Sequence, residues 1–315
     1  MTAILFVSTV LIWGTTWIAI AIEVGPVPVL VSVFYRFAVA ALILLVALIV
    51  TRRLKVPPWR DQPFVLAQAL CLFCFNFICF YQAESLIPSG LVSVIFSLST
   101  IFNAIGARVF FGTPITARMM TAAALGVAGL TILFGRDIAV GLGRDTLEGL
   151  GLAVAGTVCF SLGNMASRRN SAAGISPLTA NAWGMAYGSV VLLVLIGVTQ
   201  TPMMAPPDTR YVVALLYLAA VGSVVGFTAY LSLVARIGSS KAAYATVLFP
   251  IVALTLSTIF EGYRWHWTGF VGLAVTLAAN LVIFSDRSSA MKRPVGTPGL
   301  EPMTVPNIKV ADSSR

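Results

Sequence analysis

The chain has 315 residues, 58% hydrophobic and only 10% charged, with a mean hydropathy of +0.95. A soluble domain carries about 25% charged residues to keep its surface in water, so lipid is the solvent this composition suits. The net charge of +9 does not point to nucleic acid, because the basic residues lie in short gaps between apolar runs and form no clustered basic face.

A helix needs roughly 20 apolar residues to cross the hydrocarbon core of a bilayer. Such runs follow one another at 3–22, 28–50, 64–83, 89–111, 117–135, 147–167, 177–198, 211–234, 240–260 and 266–285. They predict an all-α integral membrane protein with ten transmembrane helices. Span 1 has no Lys or Arg ahead of it and no small-residue cleavage site, so it reads as a retained helix rather than a signal peptide. Within it, Trp13 and Trp17 are four apart and share a face; their rings either stack on a substrate or pack the bundle. Span 2 holds Arg36, about 12 Å into the run at 1.5 Å per residue. A charge at such depth costs roughly 2.5–3.5 kcal/mol and needs a partner. A substrate carboxylate is one choice; a structural pairing with backbone carbonyls or with an acid such as Glu84 is the preferred one.

Span 3 sets Gln68, Asn76, Tyr81 and Gln82 among phenylalanines, and Asn103 and Asn164 stand in spans 4 and 6. Buried amides need partners, supplied by a neighbouring helix or by a water-filled cavity. The pair Cys71 and Cys74 reads as small apolar packing. A zinc site wants four Cys or His ligands, and the single histidine, His266, is at the far end of the chain. No metal or cofactor is expected. Spans 5 and 10 carry small residues, Gly126 and Gly129 in one and Gly269 and Gly272 in the other; such faces permit close packing and suit scaffold helices or a homodimer interface. Pro250 in span 9 frees a backbone carbonyl for substrate, makes a hinge, or makes a static kink. Glu84 and Glu261 fall at outer helix ends as ordinary solvated acids, and with no acid inside a span nothing favours proton coupling. His266, between Trp265 and Trp267, reads as an interfacial anchor. Residues 287–315 turn to Ser, Pro, Gly and charge and read as a disordered tail.

Loop charges orient the spans. With a cytoplasmic N-terminus, the cytoplasmic loops hold Arg52, Arg53, Lys55, Arg60, Arg108, Arg118, Arg168, Arg169, Arg236 and Lys241 against Asp61 alone. The opposite loops hold Arg136, Arg144, Arg210 and Arg264 against Glu23, Glu84, Asp137, Asp145, Glu148, Asp208 and Glu261. This is the positive-inside bias, and a miscounted helix would scramble it. Both chain ends then face the cytoplasm.

Ten spans divide into five plus five. The stretch from Tyr81 to Phe134 matches that from Tyr230 to Phe284 in length and layout, with tight turns at Ile87-Pro88-Ser89-Gly90 and Ile237-Gly238-Ser239-Ser240. An odd number of helices per repeat turns the second upside down, giving two inverted-topology five-helix repeats, 1–138 and 145–286. Inverted repeats are the usual architecture of secondary transporters, with the site between the halves.

Particular motifs then point to a family. Span 1 reads Leu11-Ile12-Trp13-Gly14-Thr15-Thr16-Trp17 and span 2 Tyr35-Arg36-Phe37-Ala38-Val39-Ala40-Ala41. Span 9 has Phe249-Pro250-Ile251, with Glu261 eleven residues after the proline. Over residues 1 to about 286 the chain resembles the ten-helix EamA-type exporters of the drug/metabolite transporter superfamily. It departs from them at Thr113, where an acid is common, and in lacking a span 4 counterpart of Pro250. The resemblance implies a central cavity lined by spans 1, 3, 4, 6, 8 and 9, with Trp13, Trp17, Asn76, Tyr81, Gln82, Asn103, Asn164, Tyr230 and Tyr244 as candidate lining residues. It assigns Gly14, Arg36, Pro250 and Glu261 structural or gating parts, with span 2 toward the periphery.

The expected function is export of small amphipathic metabolites, such as amino acids or their derivatives, across a bacterial inner membrane. A sugar-phosphate or nucleotide-sugar exchanger would want several intramembrane cations, and only Arg36 qualifies. A membrane enzyme would need clustered acids for Mg²⁺ or a His/Asp pair, which the spans lack. A non-transporting scaffold is the remaining alternative.

Overall fold

The computed structural model describes residues 2–134, 143–230 and 244–284. The tail from 287, the turn at 237–240 and the loop charges Arg136, Asp137, Arg236 and Lys241 lie outside the described residues. Those described are helical, with no strand among them. Seven helices are long and apolar enough to cross a membrane: α1 (Thr2–Glu23), α2 (Val29–Val50), α3 (Trp59–Glu84), α4 (Ser89–Phe111), α6 (Arg144–Ala172), α7 (Pro177–Val198) and α8 (Thr209–Tyr230). Three more apolar helices are α5 (Ala117–Leu133), α9 (Tyr244–Phe260) and α10 (Trp267–Phe284). Two expected spans, 89–111 and 177–198, coincide with α4 and α7 to the residue. Others are longer than hydropathy alone suggested, since α3 and α6 continue through charged residues at their ends.

Local chemistry sets the boundaries. The Asp208 side chain accepts the Tyr211 N–H at 2.8 Å and Ser176 accepts that of Thr179 at 3.2 Å, so each caps orphan donors at a helix start. Gly112 ends α4 at φ +66°, a left-handed turn that glycine adopts without strain. Two helices are locally widened: α3 is π-helical over Cys71–Phe75 and α8 over Tyr217–Val225. In α8 the wider turn lets Ser223 Oγ donate to the Leu218 carbonyl, five residues back, at 2.9 Å. Such segments are often found at functional sites.

Helix α5 packs along α10, α2 along α7 and α4 along α9; α1 lies against α8 and α9, α6 against α3 and α4, and α3 and α8 flank α7 and α2 respectively. Lipid gives apolar helices no hydrophobic reason to associate, so close approach at small residues matters here. A Cβ added at Gly272 would stand 2.5 Å from Leu133 N and 2.7 Å from the Gly129 carbonyl oxygen. Of the small faces expected of α5 and α10, Gly129 and Gly272 are thus turned on each other within one chain, while Gly126 faces Leu98 and Ile101 of α4. Gly14 works similarly, its missing Cβ leaving room for Val252 of α9.

These packings gather Glu23, Glu84, Asp145, Glu148 and Glu261 toward one end of the bundle. At the other end Arg169 pairs with Asp61 at 2.5 Å and the Trp183 indole donates to the Lys55 carbonyl at 2.9 Å. Arg169 also covers Phe64, and Arg168 covers Phe111, at 3.6 and 4.1 Å from the ring centroids. We refer to the acidic end and the basic end.

Candidate functional site

A cavity of ≈ 60 Å³ lies between α1, α2, α3, α4, α6, α8 and α9. Its wall is mostly aromatic: Trp17 meets Phe80, Phe96 and Phe249 at centroid distances of 5.4, 5.5 and 6.3 Å, and Phe96 meets Phe160 at 4.6 Å. Trp13 closes one side against Phe227 and Tyr230, at 5.5 and 5.0 Å. Into this apolar wall are set Thr16, Arg36 and Asn76. The space admits a few waters and falls short of the roughly 300–1,000 Å³ that holds an organic ligand.

Arg36 is 3% exposed. Its Nε donates to Ser223 Oγ at 3.4 Å and its Nη1 to the Tyr81 hydroxyl at 3.5 Å, both long, and its guanidinium stacks over Phe77 at 4.3 Å. Tyr81 in turn donates to Glu23 Oε2 at 2.7 Å. The partner expected for Arg36, Glu84, is therefore replaced by Tyr81 and Ser223, with Glu23 behind the tyrosine. The peripheral placing of this part of span 2 is corrected as well, since Arg36 lines the cavity. Among the described residues, two long bonds leave most of the five guanidinium N–H donors unused. Asn76 is 1% exposed and its Oδ1 has no hydrogen-bond donor among the described residues.

Of the residues singled out in the sequence, Trp13, Trp17, Asn76 and Arg36 come together on the cavity wall. Tyr81 reaches it through Arg36, and Tyr230 through the Trp13 ring. Gln82 is exposed on the outer face of α3 and faces away from the cavity, a correction that follows from its position one residue past the buried Tyr81. Asn103 and Asn164 are a second correction: Asn164 Nδ2 donates to Asn103 Oδ1 at 3.2 Å, pinning α6 to α4 instead of facing the cavity. Gln68 similarly donates to Asn181 and accepts from Asn170, tying α3 to α7 and α6. The Tyr244 side chain lies outside the described residues. Gly14 and Pro250 sit in the α1–α9 contact.

Glu261, at the acidic end, accepts the Ser89 backbone N–H with both oxygens at 3.2 Å and the Ser89 hydroxyl at 2.5 Å. It thereby caps α4 from the end of α9, where a carboxylate complements the helix dipole. Beside it opens a hollow of ≈ 420 Å³ lined by Glu261, Tyr263, Arg264 and His266. Two acids contradict the sequence reading. Glu84 is 8% exposed rather than solvated, and Glu23 is fully buried.

Residues 1–135 and 147–285 match the model of the EamA-like transporter family. The chain belongs to that family. It is accordingly a membrane transporter of the drug/metabolite transporter superfamily and not an enzyme. This EamA-like chain is 26% identical over 293 residues to the "Uncharacterized inner membrane transporter YedA" of Escherichia coli K12, covering 92% of this chain and 93% of that one. It is 24% identical over 267 residues to "Protein PagO" of Salmonella typhimurium, 83% and 85% of the two chains. It is 25% identical over 301 residues to the "Probable terminal-alkyne amino-acid exporter" of Streptantibioticus cattleyicolor, 93% and 96% of the two. A protein known from its crystal structure shares the fold at a TM-score of 0.64 and 16% identity, over 90% of this chain and 96% of that one.

Proposed function

We propose that this transporter exports small amphipathic metabolites, amino acids or their derivatives, across a bacterial inner membrane by alternating access at the central cavity. The observation that carries the reading is the cavity wall: among the described residues, one guanidinium with unused donors and one amide with an unpaired atom, set in an aromatic box. Arg36 suits a carboxylate, Asn76 a second polar group, and the rings of Trp13, Trp17, Phe80 and Phe96 an apolar body. A single cation does not suit a phosphate-rich ligand. Relatives named as an inner membrane transporter and an amino-acid exporter support the same class.

The reading includes ten membrane passes in two inverted repeats, 1–138 and 145–286, with both termini cytoplasmic. Support comes from the packing pattern. Replacing each helix by the one five places along exchanges α1–α9 with α6–α4, α3–α6 with α8–α1 and α3–α7 with α8–α2. The pairs α2–α7, α4–α9 and α5–α10 map onto themselves. The π-helical segments fall in α3 and α8, which are equivalent under that exchange. A homodimer would use surfaces other than the glycine faces that join α5 to α10.

Purified protein in proteoliposomes loaded with unlabelled L-phenylalanine should take up radiolabelled L-phenylalanine by counterflow. Protein-free vesicles should not. Equal uptake by the two, with L-phenylalanine, L-leucine and L-threonine each tried, would remove the amino-acid class.

A further inference from the structure

We propose that the basic end carries a binding site for an anionic phospholipid, seated in the groove between the start of α3 and the first half of α7. A hollow of ≈ 440 Å³ opens there, lined by Trp59, Gln62, Pro63 and Leu66 of α3 and Tyr187 of α7. It shares no lining residue with the central cavity.

The wall offers a guest little besides apolar surface. Its two polar side chains satisfy each other, the Tyr187 hydroxyl donating to Gln62 Oε1 at 2.7 Å. The Gln62 amide nitrogen donates in turn to the Pro57 carbonyl at 2.9 Å. Pro63 and Leu66 are exposed, and Trp59 is 88% exposed. A tryptophan so bare is poorly placed in water and well placed at the boundary of a membrane, where its ring meets acyl chains and its N–H meets head groups. The hollow is within the size range that takes an organic ligand, and the upper part of an acyl chain suits such a lining.

The rim supplies the opposite chemistry. Arg52, Arg53, Lys55 and Arg60 stand where α2 leads into α3, and all four are exposed. The acid of that stretch, Asp61, is engaged by Arg169, and among the described residues no carboxylate pairs with any of the four cations. Hydrogen bonds hold the stretch against the groove, because the Trp183 indole donates to the Lys55 carbonyl at 2.9 Å and Gln62 reaches Pro57. Trp183 packs on Tyr187 at a centroid distance of 5.7 Å, and Arg60 directly follows the Trp59 that lines the hollow.

An apolar groove beneath unbalanced cations complements one component of the bilayer, a phospholipid whose head group carries net negative charge. Basic pockets between transmembrane helices bind such head groups. A zwitterionic lipid brings no net charge to the rim, and a water-soluble anion gains nothing from the wall. A second copy docked about a two-fold axis would set the same cations against each other.

Native mass spectrometry of the full chain in maltoside micelles, supplied with equal amounts of phosphatidylglycerol and phosphatidylcholine bearing identical chains, tests the site. The wild type should retain phosphatidylglycerol over phosphatidylcholine by roughly tenfold or more, since each cation near the head group favours the anionic lipid several-fold. Lys55→Gln combined with Arg60→Gln should bring that preference to within about twofold. Leu66→Trp, which fills the hollow and leaves every charge in place, should lose the retained lipid. Arg108→Gln, which removes a cation from the basic end of α4, should keep the wild-type preference. No preference in the wild type overturns the proposal, as does its survival in either the double variant or Leu66→Trp. An equal loss in Arg108→Gln would show diffuse attraction to the basic end and overturns it too. A second measurement does not depend on the folding of Leu66→Trp. Phosphatidylglycerol with brominated chains should quench tryptophan fluorescence more than brominated phosphatidylcholine does, and Trp59→Phe should remove the excess; an excess that persists places the lipid elsewhere and overturns the site. None of these readouts involves transport, so the lipid site stands or falls apart from the proposed substrate.

Discussion

Arg36 shows how one side chain joins structure to recognition. Its guanidinium is held by a ring face, two long hydrogen bonds and a carboxylate at one remove, so it is fixed in place yet has donors to offer. Arg36→Ala removes the cation that Tyr81 and, behind it, Glu23 face, and should cost about 1–3 kcal/mol. Less folded protein in the membrane is the expected outcome, with part of the loss recovered when Glu23→Gln is added; a variant of normal abundance and melting temperature would show that the residue serves substrate alone. At the cavity wall, Trp13→Ala and Asn76→Ala should each slow transport at least about tenfold, roughly 1.4 kcal/mol, while membrane abundance stays at the wild-type level. Unchanged counterflow in both would remove them from the site. These residues were legible in the sequence because a polar or basic group inside an apolar run must find a partner, and because tryptophans four apart must share a face. Phe96, Phe160 and Phe249 were not. A phenylalanine turned to the cavity and one turned to lipid, such as the exposed Phe110, look identical in a hydropathy profile.

At the scale of helices, glycines set how closely the elements approach. Gly272→Val would drive a side chain into the backbone of α5 around Leu133 and Gly129, and overpacking of this kind costs typically 1–3 kcal/mol. A lower melting temperature in detergent is expected. Gly151→Ala on α6 meets nothing within 4 Å and should be neutral or stabilising by up to about 1 kcal/mol. Equal effects of the two substitutions would refute the seam. The clamp from Glu261 to Ser89 makes a related prediction. Glu261→Gln keeps the size of the side chain but loses the charge-assisted bonds that cap α4, each worth about 1.5–3 kcal/mol. It should loosen the acidic end, read as faster labelling by a membrane-impermeant maleimide of a cysteine introduced at Ser257, which is fully buried. No acceleration relative to the same cysteine beside native Glu261 would show that the clamp does not hold that end shut. The spacing from Pro250 marked Glu261 in the sequence, but its hydrogen-bond partner 172 residues away did not show there.

For the whole molecule, the proposed topology puts the acidic and basic ends on opposite sides of the membrane. With the native cysteines replaced, an impermeant maleimide should label Ser85→Cys from outside intact cells and Arg60→Cys only after permeabilisation. Labelling of both from the same side would rule out the ten-pass arrangement. The sequence by itself determined that this is a helical membrane protein, where most of its spans lie, and to which family it belongs. Those follow from composition, run length and local motifs, each carried by residues near one another in the chain. Only the tertiary structure decided that Glu23 and Glu84 are buried, that Asn103 and Asn164 satisfy each other, and that Arg36 faces the cavity. Burial and pairing depend on which faces of separate helices meet, and a helix in lipid has apolar residues on every side, so no periodicity announces its inner face.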